Sequence, residues 1–502
     1  MNWKQNLIIP LIKGNNPLNP PLLRGTMGVV LFTLMFIGCA GGTDSGSTGS
    51  SNPTAGVDLT LGKSGQSGGF VDVDGDEITD KVIGAPSASK DSNMGIALVY
   101  KGSSSSNKSY KTEYASSYTT ITGDNSFGFS FVNLGDVDGD SKEDFAVGAI
   151  YGDGENVSMS GAVHIYKGGS NGQIIKKVSG EVPMDRFGMS IASGDLNGDG
   201  KNDIIIGAPF NTNDPSLYQS GAVYVYFAPD FSTSVSLHAS STNKGLGWQV
   251  ASGDINNDNV PDLLISASGK VLGYYGGTSF APSIDSPNVT ISSSASGVGK
   301  TIAVIGDIDN DGYKEIVIGA PNATINSNRD TGSIYIIKGG TGMRTISLNS
   351  ATADQIVRID GTALFDRFGA SIAVVDADGD NMIDIAVGSP TADADGNVMA
   401  GKVYLLKGKD INSTTTLSNA TAFHGTVKYQ GYGAFIASAP DHHLLVGMPM
   451  SNKYNGDVTV VDLAAGSSTT GGSGGTTGGG DDDHHHKLSL NKNENEKEGY
   501  NE

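Results

Sequence analysis

Six nine-residue segments, 72–80, 136–144, 195–203, 254–262, 307–315 and 376–384, place oxygen-bearing side chains at their first, third, fifth and ninth positions. The first holds Asp72, Asp74, Asp76 and Asp80, the second Asp136, Asp138, Asp140 and Asp144, and the third Asp195, Asn197, Asp199 and Asp203. The fourth holds Asp254, Asn256, Asp258 and Asp262, the fifth Asp307, Asp309, Asp311 and Glu315, and the sixth Asp376, Asp378, Asp380 and Asp384. Four such groups converge only if a hard cation replaces their mutual repulsion. Ca²⁺, which accepts about six to eight oxygens in loose geometry, suits them best. A metal-free turn of Asp, Asn and Gly would account for one such loop, but not for a ninth carboxylate kept in all six. We therefore expect about six bound Ca²⁺ ions.

An EF-hand needs a Glu at position twelve and flanking helices. Position twelve here is Ile83, Val147, Ile206, Ile265, Ile318 and Val387, apolar and β-branched throughout. These residues lie in runs such as Asp203-Ile204-Ile205-Ile206, so each loop leads into a strand. The composition agrees: 72 of 502 residues are Gly and helix-period stretches are absent, the profile of many short strands joined by turns. The formal charge is −21, and the ligand positions hold 22 of the 53 acidic residues, so six Ca²⁺ would bring it to about −9. With no basic patch, nucleic acid is not an expected partner. A single cysteine excludes an internal disulfide framework.

The first acidic residues recur at spacings of 64, 59, 59, 53 and 69. Each unit keeps one order. An aromatic or apolar residue precedes Gly (Phe127-Gly128, Phe187-Gly188, Leu246-Gly247, Val298-Gly299, Phe368-Gly369), then come a short strand, the acidic loop and an apolar strand. That strand ends in Gly84-Ala85-Pro86, Gly148-Ala149-Ile150, Gly207-Ala208-Pro209, Gly319-Ala320-Pro321 or Gly388-Ser389-Pro390, decayed to Ser266-Ala267-Ser268 in the fourth unit. An alternating strand such as Gly221-Ala222-Val223-Tyr224-Val225-Tyr226 follows. A seventh unit, with Tyr432-Gly433, Val446-Gly447-Met448-Pro449 and Gly456-Asp457-Val458, has lost its acidic loop to Ala439-Pro440-Asp441-His442-His443.

Three motifs in fixed order over 57–463 resemble the FG-GAP repeats that build the β-propeller of integrin α chains. The resemblance implies an all-β, seven-bladed β-propeller in which the carboxylates at positions one, three, five and nine, with the position-seven carbonyl, ligate Ca²⁺. Gly at position six, as in Gly200 and Gly312, suits a left-handed turn residue. Asn197 and Asn256 remove one charge each, so the third and fourth loops are expected to bind more weakly. The last blade lacks an outer strand, and the alternating segment 57–61 is expected to supply it and close the ring. By the same resemblance the loops opposite the metal loops form a ligand face, with Tyr151, Phe210, Tyr218, Arg329 and Asp330 as candidate contacts. Asp185-Arg186 and Asp366-Arg367 precede Phe-Gly elements and read as structural pairs. The histidines are scattered and no nucleophile and base pair stands outside the repeats, so the expectation is a binding or adhesion module and not an enzyme. The alternative is a propeller-type enzyme acting on polysaccharide or lipid through a face cleft.

The N-terminus carries a separate signal. Residues 27–38 form an apolar stretch of 12, too short to span a bilayer, with Lys4, Lys13 and Arg24 upstream. Phe36-Ile37-Gly38-Cys39 resembles a bacterial lipobox, which implies cleavage before Cys39 and its lipidation, and Ala40 after it favours the outer membrane. The expected organisation is a signal peptide at 1–39, a flexible tether at 40–56, the propeller at 57–463 and a Gly-rich, polar, disordered tail at 464–502. The expected product is a monomer at the periplasmic or cell-surface face of the outer membrane, held by its N-terminal lipid, with an unidentified protein or glycan as ligand.

Overall fold

The computed structural model describes residues 67–90, 93–102, 118–169, 173–212, 219–239, 245–342, 344–352, 355–439, 442–451 and 456–463. All of them fall in one compact unit, Asp58–Glu502. Cys39 and its lipobox, the proposed closing segment 57–61, Tyr218 and the tail 464–502 lie outside the described residues. No helix among the described residues is long and apolar enough to cross a membrane.

The third repeat shows the plan. Strands Ser190–Gly194, Asp203–Ala208, Ala222–Tyr226 and Ser234–His238 form an antiparallel sheet in chain order, with Ile205 paired to Ala192 on one side and Val225 on the other. The second strand is buried at every position because both faces of the sheet are covered. Its alternate residues point to different neighbours: Ile204 and Ile206 pack with Phe187, Val163 and Ile165 of the preceding unit's side, Ile205 with Val250, Leu263 and Ile265 of the next. Each such fully buried isoleucine contributes on the order of 1.5–3 kcal/mol, so the cores lie between sheets and no unit is stable on its own terms. The outer strand Ser234–His238 faces solvent on one side and is correspondingly polar.

The described strands make seven antiparallel runs of this kind, six of four strands and a last of three, Phe435–Ala439, His443–Gly447 and Val458–Asp462. The first two runs register as one eight-stranded sheet only through a parallel bridge, Gly95 to Phe127. The same bridge recurs as Gly221 to Leu246, Gly332 to Phe368 and Gly401 to Tyr432, joining the start of each third strand to the Phe-Gly element of the next unit. The short fourth unit borrows a strand: Arg344–Ser347, from the long fifth spacing, pairs in parallel with Val289–Ser292. Inner strands pack in succession, and the last, Phe435–Ala439, packs on the first, Ser67–Val71, with Ile83, Leu445 and Val458 sharing one buried cluster. The architecture is all-β and propeller-like.

Candidate metal centres

Each acidic loop leaves the inner strand and enters the second, so its geometry is set where two buried strands converge. The backbone turns twice through left-handed conformations. Position six has positive φ in all six loops, at Glu77, Ser141, Gly200, Asn259, Gly312 and Asn381, and so does position four, at Gly75, Gly139, Gly198, Asn257, Asn310 and Gly379. The expectation at position six holds; the second left-handed site went unread, although four glycines mark it. These turns aim backbone N–H groups inward. The position-six N–H donates to the first carboxylate at 2.7–3.1 Å, as from Gly200 to Asp195 Oδ2 and from Asn381 to Asp376 Oδ2.

The ninth carboxylate is buried and works as a tie. In every loop one of its oxygens accepts the position-two N–H, as from Leu196 to Asp203 Oδ2 at 3.0 Å, and in all but Glu315 the other accepts an N–H from beyond the third strand, as from Ala228 to Asp203 Oδ1 at 3.1 Å. Burial pushes the carboxyl of Asp80 up to about 6 and those of Asp203, Asp262 and Glu315 up to about 7. A buried negative charge of this kind is costly without a counter-ion.

Carboxylate oxygens of Asp72, Asp74 and Asp80, of Asp136, Asp138 and Asp144, of Asp376, Asp378 and Asp384, and of Asp307, Asp309, Asp311 and Glu315 each gather within 4.8 Å and can hold a metal ion. Asp74 Oδ1 and Glu315 Oε1 are buried without a hydrogen-bond partner among the described residues, which a hard cation would satisfy. In the third and fourth loops the amide turns inward instead: Asn197 Nδ2 donates to Asp199 Oδ2 at 3.0 Å and Asn256 Nδ2 to Asp258 Oδ2 at 2.9 Å.

The opposite ends of the sheets carry different chemistry. Tyr151 and Phe210, expected on a ligand face, both pack on Arg186, whose guanidinium carbon lies 5.5 Å from the Tyr151 ring centre and 4.3 Å from that of Phe210. Phe210 in turn lies 6.0 Å from Trp248, and Lys300 Nζ sits 2.9 Å over the Trp248 ring. A ladder of rings and cations thus crosses the second to fifth units. Arg186 is buried, and its Nη1 has no hydrogen-bond partner among the described residues. Asp185 and Arg186 both hold the fold, through separate contacts. The Asp185 carboxylate is spent on the N–H groups of Glu181, Val182 and Phe187, which leaves Arg186 to the rings. Arg329 and Asp330 lie elsewhere: the Arg329 carbonyl accepts the Phe365 N–H at 3.0 Å, the Asp330 carbonyl accepts the Arg367 N–H, and Asn322 Nδ2 donates to Asp330 Oδ1 at 3.2 Å. Sequence reasoning named Arg186 only within a structural pair and missed Trp248 and Lys300, though each immediately precedes or follows a Phe-Gly-type element.

The Phe-Gly and Gly-Ala-Pro motifs meet between units. A Cβ on Gly148 would stand 2.6 Å from the Gly188 carbonyl oxygen, and Ser130 Oγ donates to that same oxygen at 2.6 Å. Ser67 with Gly128, Ser190 with Gly247, Thr301 with Gly369 and Ser371 with Gly433 repeat the contact. The FG-GAP repeat family matches residues 187–226, 246–280, 299–337 and 368–406, and an FG-GAP-like repeat matches 136–206. The chain contains FG-GAP repeats. Its FG-GAP region is similar to integrin alpha-5 of Xenopus laevis, 33% identical over 231 residues that make up 45% of this chain and 16% of that protein. It is also similar to the phosphatidylinositol-glycan-specific phospholipase D of Dictyostelium discoideum, 27% identical over 293 residues, 57% of this chain and 27% of that protein. The bovine protein of the same name is 34% identical over 118 residues, 21% of this chain and 14% of that protein. The chain therefore spans well under a third of the length of each of these relatives.

Proposed function

We propose that this FG-GAP chain is a calcium-stabilised, seven-bladed propeller that serves as an extracytoplasmic binding or adhesion module, anchored to the outer membrane through lipid on Cys39. The observation that carries the reading is the division of labour between the two ends of the sheets. Acidic loops at one end have the donors of a structural cation, while the other end presents the Tyr151, Arg186, Phe210, Trp248 and Lys300 ladder, whose cations stack on rings. Ca²⁺ is then a scaffold ion that fixes the innermost strands, and the ring closes through the packing of Ser67–Val71 on Phe435–Ala439, with segment 57–61 as the missing outer strand. The ligand is a protein or glycan of the cell envelope, and the module acts as a monomer.

The test is a glycan array and an envelope-protein pull-down with the full chain and with Arg186→Met. Capture that the substitution abolishes, while the melting curve keeps its cooperativity, supports the reading. Capture that survives it removes the ladder from the ligand face. Likeness to phospholipase D proteins favours one second reading, an enzyme acting on polysaccharide or lipid. Release of product from a glycolipid or polysaccharide substrate by the purified chain would establish that reading over the first.

A further inference from the structure

The residue just after the third strand differs between loops in step with loop position three. It is fixed in register by its successor, whose N–H donates to the ninth carboxylate: Gly102 to Asp80, Gly168 to Asp144, Ala228 to Asp203, Gly276 to Asp262 and Gly408 to Asp384. The residue before it is Lys101, Lys167, Phe227, Tyr275 and Lys407 respectively, and Lys338 holds the same place in the fifth unit. Where position three is Asp, the residue is Lys; where it is Asn197 or Asn256, the residue is aromatic.

Each of these lysines reaches its own loop. Lys101 Nζ lies 2.6 Å from Asp74 Oδ2, Lys407 Nζ 2.7 Å from Asp378 Oδ2, and Lys338 pairs with Asp309. Lys167 pairs with Asp138 and lies 3.1 Å from Asp140 Oδ2, and in the sixth unit Lys409 adds a second cation to Asp378 and Asp380 at 2.8 Å. In the other two loops the Asn amide makes the equivalent donation to position five. Counting the four ligand positions with these lysines, the first five loops all carry a formal charge of −3, whether as four carboxylates and one Lys or as three carboxylates and none. An ammonium or amide N–H thus stands where carboxylates would otherwise face one another.

We propose that the lysine after the third strand is an internal stand-in for the metal. It holds the third carboxylate while the loop is empty and yields it when a divalent cation enters, so the loop keeps its shape in both states. This rests on the reading that the loops take Ca²⁺. It also evens out the six loops: the charge missing from the Asn197 and Asn256 loops is cancelled by Lys in the others, so their affinities lie closer together than ligand charge alone implies.

The test replaces Lys101, Lys167, Lys338 and Lys407 by Met in the full chain, singly and together, and follows Ca²⁺ binding by calorimetry and melting with chelator. Partly exposed ion pairs are weak, so each substitution should tighten its loop about two- to fivefold while lowering the metal-free melting temperature. Asn197→Asp, which adds a carboxylate without its lysine, should lower the metal-free melting temperature in the same way. Ca²⁺ binding by the parent chain with unchanged or weaker binding in the Lys→Met chains overturns the stand-in. No Ca²⁺ binding by the parent chain overturns the calcium reading itself.

Discussion

Gly148→Ala tests the contact that joins one repeat to the next. Gly148 lies in strand Asp144–Ala149 with extended backbone, so alanine brings no conformational strain and by itself would gain about 0.4–1 kcal/mol through the unfolded chain. Against that gain, its Cβ would lie 2.6 Å from the Gly188 carbonyl oxygen, where ordinary contact needs well over 3 Å, and closer still to Ser130 Oγ. Overpacking of this kind costs about 1–3 kcal/mol. The displaced Ser130 hydroxyl also gives up its 2.6 Å bond to Gly188, worth about 0.5–1.5 kcal/mol. The net expectation is a loss of about 2–3 kcal/mol, read as a lower urea midpoint at unchanged slope. Ser130→Ala alone should lose about 1 kcal/mol. The double substitution should fall short of the sum by a similar amount, because both singles remove the same hydrogen bond. An unchanged midpoint for Gly148→Ala, or strict additivity, would refute the view that the two signature motifs lock neighbouring units.

Three further outcomes are expected. Burial holds the Lys300 ammonium down to about 7 in the fold, below its unfolded value near 10.4, so the unfolded chain binds more protons between these limits and stability rises with pH there. Lys300→Met should remove that rise, measured as melting temperature from about pH 7 to about pH 9.5; parallel curves would show that Lys300 is ordinarily solvated. Cys39→Ser should release the chain from membranes, and a variant that still sediments with them would exclude lipid anchoring. Deleting 57–61 should leave the edge of Val458–Asp462 unpaired, so the chain melts earlier and aggregates while its metal content is unchanged; equal melting and solubility would mean that the ring closes otherwise.

Much of the fold was legible because repetition multiplies weak signals. A ninth carboxylate followed by Ile or Val at position twelve gave the loop and its exit strand in every acidic unit, and the strands fall where the β-branched runs place them. The reason for the glycine signatures was not legible. Gly148 is small because another unit's carbonyl occupies its Cβ position, a contact across about forty residues that no local pattern encodes. The lysines were in plain view, yet Lys101 and Asp74 are 27 residues apart, and their pairing needs the third strand to end over the loop. That Asp185 and Arg186 act through separate contacts was not legible, because the backbone N–H groups that claim the Asp185 carboxylate are placed by the fold.

The claim on which the rest depends is that the acidic loops bind Ca²⁺ and that the ion supports the fold. The direct measurement is the Ca²⁺ content of the purified chain by equilibrium dialysis, paired with melting curves in chelator and in millimolar Ca²⁺. About six ions per chain and a melting temperature that climbs with free Ca²⁺ are predicted, because binding to the folded state alone stabilises it by mass action. No bound Ca²⁺ and identical melts in both conditions would contradict the account.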